Sequence, residues 1–215
     1  MNKDAKEAAK QFWDNVYCDR DYVFGSAPNA WFESHSSLMH AGQRILMVAD
    51  GEGRNSVWCA RKKMIVDAFD LSEIAIQKAK KLAKENQVTV NFSVNGIDDW
   101  PWQENIYDAV AIILCQFATP SMRQIMFNRC IGTLKEQGLL FVLGYSTKQL
   151  EYGTGGPPYL DHLYTESMLS QYAKDMEILE LKSWDADVKA GRHEGKSALI
   201  GMIARKSKKD DVFSI

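Results

Sequence analysis

The chain has 215 residues, 46% of them hydrophobic and 25% charged, and a formal net charge of −2. That length suits one domain with a sizeable core, and the near-neutral balance lacks the basic footprint of a nucleic-acid binder. No run approaches the ~18 apolar residues of a membrane span, and Cys18, Cys59, Cys115 and Cys130 are too scattered for a zinc site or a disulfide framework.

The first seven residues are polar, and no apolar core of signal-peptide length follows them. A soluble, cytoplasmic protein without a membrane partner is expected. Residues 5–17 read as a helix carrying Phe12, Trp13, Val16 and Tyr17. Residues 18–32 read as a loop broken by Gly25, Pro28 and Asn29. Its aromatics, Tyr22, Phe24, Trp31 and Phe32, are unusual for a solvated loop and suggest a cover over something. His35 and His40, in the polar stretch that follows, attract no role.

An α/β rhythm then begins. Residues 44–49 form a short apolar run that ends in glycines, as a buried parallel strand does. A helix is expected at 54–62 and a second strand at 64–69. Ser72 can cap a helix at 73–86, whose Ala75, Ile76, Ala79, Leu82 and Ala83 recur at helical spacing. Strands follow at 88–94 and 107–114, the latter almost entirely apolar and therefore central. Thr119 and Pro120 open a further helix; Gly138 ends a turn, and a fifth strand runs from Leu139 to Leu143. Strand alternating with helix implies a parallel, doubly wound sheet with right-handed crossovers. The tail departs from that rhythm. After a helix at 165–174, strands at 176–184 and 197–205 have no helix between them, with Gly191 and Gly195 in the connection. They must pair antiparallel.

Two elements point to a nucleotide-type ligand. The first strand runs into Ala49-Asp50-Gly51-Glu52-Gly53-Arg54-Asn55, a tight turn before a helix whose free N–H groups suit an anionic group. Asp70 stands 17 residues beyond Gly53, close to the ~20 of a ribose-binding acid. The bland reading of Asp70 is a helix cap ahead of Ser72. Both elements also fit a nicotinamide-dependent dehydrogenase, with Ser56 as its third small residue. The antiparallel last strands favour a different use of the same architecture.

At this point the residues resemble a family. The run Ile45–Asn55 looks like the first motif of class I S-adenosylmethionine-dependent methyltransferases, in a form similar to the tellurite-resistance and thiopurine branch. The likeness continues through Asp70-Leu71-Ser72, Tyr107-Asp108-Ala109-Val110 and Leu134–Leu140, and spans about Phe12 to Arg205. It implies one Rossmann-like domain: an N-terminal helix and lid segment at 1–43, a seven-stranded, mostly parallel core with a C-terminal antiparallel hairpin at 44–205, and a solvated tail at 206–215. It also implies a donor site. Ala49, Asp50, Gly51, Glu52, Gly53 and Asn55 would lie against the methionine part, Asp70 would bind the ribose, and Leu71 would flank the adenine. Gly96, Ile97 and Asp98 would meet the adenine edge, and Leu114, Cys115 and Gln116 would border the sulfonium; apart from the resemblance, Trp13, Tyr17 and Gly25 of the N-terminal segment are expected to contact the donor and border the acceptor side. Three positions depart from the family pattern: Met47 stands where an acid is usual, for which Asp50 and Glu52 can supply charge, Ala49 where a glycine is usual, and Gly96 where an acid is frequent, with Asp98 two residues on.

Methyl transfer from a sulfonium asks the protein for alignment and a dry site, and for a base only if the acceptor must lose a proton. No metal is called for. The acceptor side is expected at the strands' carboxyl ends: the N-terminal aromatics, including Tyr22 and Phe24, and the long segment 144–159 with its glycines and prolines, read as a lid. Tyr145 is the first choice beside the transferred methyl, and His162 and His193 are candidate acid–base groups, His162 foremost. The expected partner is a small-molecule acceptor rather than nucleic acid, for a monomer or weak homodimer. A nicotinamide-dependent oxidoreductase and a non-catalytic domain binding S-adenosylmethionine or S-adenosylhomocysteine remain the alternatives.

Overall fold

A computed structural model describes residues 3–208. Helix α1 (Lys3–Tyr17) precedes a short α2 (Ala30–Ser34). The core then runs β1 (Arg44–Val48), α3 (Arg54–Arg61), β2 (Ile65–Asp70), α4 (Glu73–Glu85), β3 (Asn91–Val94), β4 (Tyr107–Ile113), α5 (Pro120–Thr133) and β5 (Leu134–Tyr145). Helix α6 (Glu166–Tyr172), β6 (Met176–Ala190) and β7 (His193–Lys206) complete it. The seven strands lie in the order β3-β2-β1-β4-β5-β7-β6. β1 to β5 pair in parallel, and β7 runs antiparallel to both β5 and β6. This is the expected doubly wound sheet with its antiparallel C-terminal hairpin.

The period of two along each strand builds two cores. Leu46, Val48, Val110, Ile112, Leu140 and Val142 face α5 and α6, where Met126, Phe127 and Leu169 meet them. Ile45, Met47, Ala109, Ala111, Phe141 and Leu143 face the other way, onto Phe32, Trp58 and Cys59 of α2 and α3. Ser72 and Thr119 cap their helices as expected, accepting from the Ala75 and Met122 N–H groups, and Thr165, expected inside its helix, instead caps it by accepting from the Met168 N–H.

Several boundaries differ from expectation. The loop after α1 ends at residue 29, because Asn29 caps α2 by accepting from the Phe32 N–H. Trp31 and Phe32 are thus core residues of the far face, not part of a cover. Tyr22 likewise packs beside Val57 and Leu82 rather than over the sheet end. β3 is only four residues long, whereas β5 starts at Leu134 and takes in Gly138, with a shift of register against β4 between Tyr107 and Ala109. The hairpin is longer than its apolar pattern suggests: β6 and β7 span 15 and 14 residues, so only Gly191 of the two glycines lies in the turn. Residues 209–215 of the expected tail lie outside the described residues. No described helix is long and apolar enough to cross a membrane.

Candidate functional site

β1 pairs with both β2 and β4, and the sequence order reverses there. A crevice at such a reversal opens beyond the strands' carboxyl ends, and a cavity of about 640 Å³ occupies it. Its floor is the turn after β1. Ala49, Gly51 and Gly53 all have left-handed φ, of 48°, 62° and 86°. At Gly51 a Cβ would stand 2.8 Å from the Tyr17 hydroxyl oxygen, so only glycine lets the turn and the lid meet. Gly53 does not line the cavity. Its missing Cβ instead makes room for Ala79 of α4, which an added one would approach to 2.7 Å. Asn55 is on the wall, and its Oδ1 accepts from the Asn29 N–H at 2.9 Å.

Asp70 closes β2 and faces the cavity. Its two oxygens accept from the N–H groups of Gly51 and Ser72, each at 2.9 Å. Two acceptor oxygens carry about four lone-pair sites, so both can still take a hydroxyl. Burial pushes the Asp70 carboxyl up to about 6, against the pull of those backbone donors. Asp50 is pushed up to about 7 by burial, with Ser56 opposing the rise and the Asp70 charge adding to it. Ser56 donates to Asp50 Oδ2, while Asp50 Oδ1 is buried without a hydrogen-bond partner. Glu52 pairs with Lys78 at 2.5 Å, and Lys78 also donates to the carbonyls of Tyr17, Asp19 and Asp21.

Lys78 thereby fastens the lid. α1 lies across the cavity, with Trp13 stacked on Tyr17 and edge-on to Phe117. Asp14 of α1 accepts from the Ser72 hydroxyl at 2.6 Å, and Lys6 pairs with Asp99. Gly25, at φ 74°, turns the chain back toward the cavity. Cys18 is exposed just beyond α1, whereas Cys59, Cys115 and Cys130 are buried.

The far wall comprises Leu71, Gly96, Ile97 and Asp98, with Leu114, Cys115 and Gln116 after β4. The Cys115 thiol donates to the Val48 carbonyl at 3.0 Å, which joins the ends of β4 and β1. Asp98 is drawn toward Arg129 at 3.5 Å. Asp99, which the sequence reading passed over, accepts from the Gly96 N–H as well as from Lys6, and Lys6 holds its carboxyl below the ordinary value.

Gln116 organises the acceptor side. Its amide nitrogen donates to the carbonyls of Tyr145 (2.8 Å) and His162 (3.2 Å), and its side-chain oxygen accepts from the Tyr145 N–H. Its backbone carbonyl lies 3.1 Å from His162 Nδ1. A carbonyl only accepts, so Nδ1 carries a proton, while Nε2 lies 4.0 Å from Asp161 Oδ1. Tyr145 is 3% exposed, and burial pushes its phenol up to about 12, so at neutral pH it is a donor and not a base. Both side chains line the cavity, beside Gly155–Pro158 of the lid segment. That segment is anchored: the Gln149 side chain donates to Thr154 Oγ1 and the Gly155 carbonyl, each at 3.1 Å, and accepts from the Ala198 N–H at 2.7 Å. The side chain of His193 lies outside those described.

The walls suit the donor that the sequence implies. Asp50, Glu52 and Asp70 set three carboxylates against Arg54 and Lys78; the other acids of the lining, Asp98 and Asp99, each face a cation of their own. This acid-rich turn suits a molecule that carries a sulfonium and an ammonium. The unpartnered Asp50 Oδ1 suits the ammonium, Asp70 the ribose hydroxyls, and Leu71 with Gly96–Asp98 the base.

Residues 45–138 match the model of the methyltransferase domain family. The chain is 26% identical over 145 residues to the ubiquinone biosynthesis O-methyltransferase of Coxiella burnetii, covering 66% of this chain and 61% of that protein; it thus spans about three fifths of that curated relative's length. Among solved structures, a SAM-dependent methyltransferase from Methanosarcina mazei superposes with a TM-score of 0.70 at 17% identity, covering 85% of this chain and 100% of that one. TehB from Haemophilus influenzae gives 0.69 at 18%, covering 92% and 67%. The architecture is the class I methyltransferase fold, with S-adenosylmethionine as the cofactor of the domain.

Proposed function

We propose that this chain, a class I S-adenosylmethionine-dependent methyltransferase by its domain at 45–138 and its fold, methylates a small-molecule acceptor. The observation that carries the reading is the one cavity that Asp70, the turn at 49–51 and the Gln116–Tyr145–His162 cluster all line. The bound donor supplies an activated methyl group; the chain's own residues hold, orient and shield. Asp70 and Asp50 hold the cationic nucleoside, and α1 and the segment 155–158 exclude water. Tyr145 donates a hydrogen bond to the acceptor. His162 Nε2 takes a proton from an acceptor hydroxyl as it attacks, or from the methylated ammonium that an attacking amine becomes. The cover that α1 and the 155–158 segment form over the site favours a small molecule over a polymer.

Calorimetric titration with S-adenosylmethionine, S-adenosylhomocysteine and NAD tests the donor. The two adenosyl compounds bind and the dinucleotide does not. Binding of NAD alone would return the chain to the oxidoreductases. Methyl transfer is then sought with labelled donor across hydroxyl- and amine-bearing acceptors; adenosyl binding with no transfer to any of them favours the regulatory, non-catalytic reading.

A further inference from the structure

Arg54 opens α3 and lines the cavity, yet among the described residues no carboxylate lies within ion-pairing distance of it. One guanidinium nitrogen donates to the Phe24 carbonyl at 3.0 Å. A guanidinium has five N–H donors in a planar fork, so most of its hydrogen-bonding edge is left to the cavity. The nearby acids do not claim it. Glu52 is bound to Lys78, and Asp50 takes the Ser56 hydroxyl. Burial pulls the Arg54 guanidinium below its ordinary value, the direction of a cation short of a counter-charge, although Asp50 and Tyr145 oppose the shift. The positive end of α3 adds to the same spot.

We propose that Arg54 seats a carboxylate or similar planar oxyanion of the methyl acceptor, beside Tyr145. Paired N–H···O bonds from a fork recognise that shape, and a lysine's point charge does not reproduce them. The surroundings set the rest of the acceptor. Trp13, Phe117, Met122 and Pro157 line the same cavity, so the molecule has an apolar body and an anionic head. The inference rests on the donor reading above, because it assigns the acceptor the part of the cavity between Arg54 and Tyr145.

The donor's own carboxylate is the other source of such a group, and the test separates the two. Benzoate and its neutral analogue benzamide serve as probes, titrated into protein saturated with S-adenosylhomocysteine. Wild type binds benzoate at least 10-fold more tightly than benzamide. Arg54→Gln loses that preference, while affinity for S-adenosylhomocysteine changes less than 3-fold; Arg54→Lys recovers part of the preference and confirms that loss of the fold is not the cause. Equal binding of the two probes by wild type overturns the proposal. So does a 10-fold loss of S-adenosylhomocysteine in Arg54→Gln with 5′-methylthioadenosine, which lacks the amino acid, unaffected: the arginine then belongs to the donor. Failure of wild type to bind S-adenosylhomocysteine at all would instead remove the donor reading.

Discussion

Asp70 and Asp50 sit in the same pocket and share one consequence. Both carboxyls are raised by burial, to about 6 and about 7. A raised acid is held protonated by the fold, so its stabilising contribution is full below the ordinary value near 4 and is lost as pH climbs through 6 to 7. A cationic donor reverses the preference by favouring the carboxylates. Affinity for S-adenosylmethionine is therefore expected to fall as pH drops from 7.5 to 5.5, with protons released on binding near pH 6.5; calorimetry in buffers of different ionisation enthalpy counts them. In Asp50→Asn the release shrinks. Asp70→Ala removes charge-assisted acceptors and weakens S-adenosylhomocysteine binding by at least ~1 kcal/mol. Unchanged affinity in a folded Asp70→Ala protein would leave Asp70 as the holder of the Gly51 and Ser72 amides and nothing more.

Among the elements, the segment after β5 depends on one side chain from the segment after β4. Gln116→Leu removes the partners of the Tyr145 N–H and the His162 carbonyl, while the Tyr145 carbonyl keeps the Tyr164 N–H, at a cost of about 1–3 kcal/mol for each buried group left unsatisfied. Its signature is a fall in turnover of about 10-fold or more, with S-adenosylhomocysteine affinity nearly constant. Steady-state kinetics beside calorimetry reads the split, and a parallel loss of donor affinity would move Gln116 to the donor side. The β6–β7 turn acts on the lid from the opposite direction. Gly191 has φ 57°, and a Cβ there would come within 2.1 Å of the Val23 carbonyl oxygen, while the Arg192 N–H donates to that same oxygen at 2.8 Å. Gly191→Val is expected to push the turn off the 19–25 segment at a cost of about 1–3 kcal/mol. Faster amide exchange confined to residues 19–25 is the check.

At the scale of the molecule, the roof is assembled from α1, the 19–25 segment and the 147–162 segment, all resting on a sheet that is already complete. A ligand bound beneath stabilises the whole by about 2.7 kcal/mol at a hundred times its Kd. For a chain of this size that is a rise in Tm of roughly 5–10 °C, accompanied by protection of residues 18–29 from proteolysis. The fold was largely legible because its signals are local: the apolar runs of β1 and β4, the caps at Ser72 and Thr119, and the lack of a helix between the last strands. The turn at 49–53 and Asp70 were legible for the same reason. Arg54, Asp99 and the Gln116 clamp were not, since each acquires meaning from partners tens of residues away. Trp31, Phe32 and Tyr22 misled for a related reason: an aromatic in a loop reads alike whether it covers a cavity or anchors the loop beneath the sheet. Gly53 was read as a ligand contact, and its helix-packing need is visible only once Ala79 is placed.

The distribution of thiols has a practical side. Three of the four are sealed in the core, with burial raising each well above the ordinary thiol value, and the fourth, Cys18, sits in the open just past the covering helix. A maleimide dye will therefore mark a single position without any engineering. Its fluorescence, followed by stopped flow, would time how quickly the cover lifts and settles, and whether the arrival of one reactant or of both sets that pace.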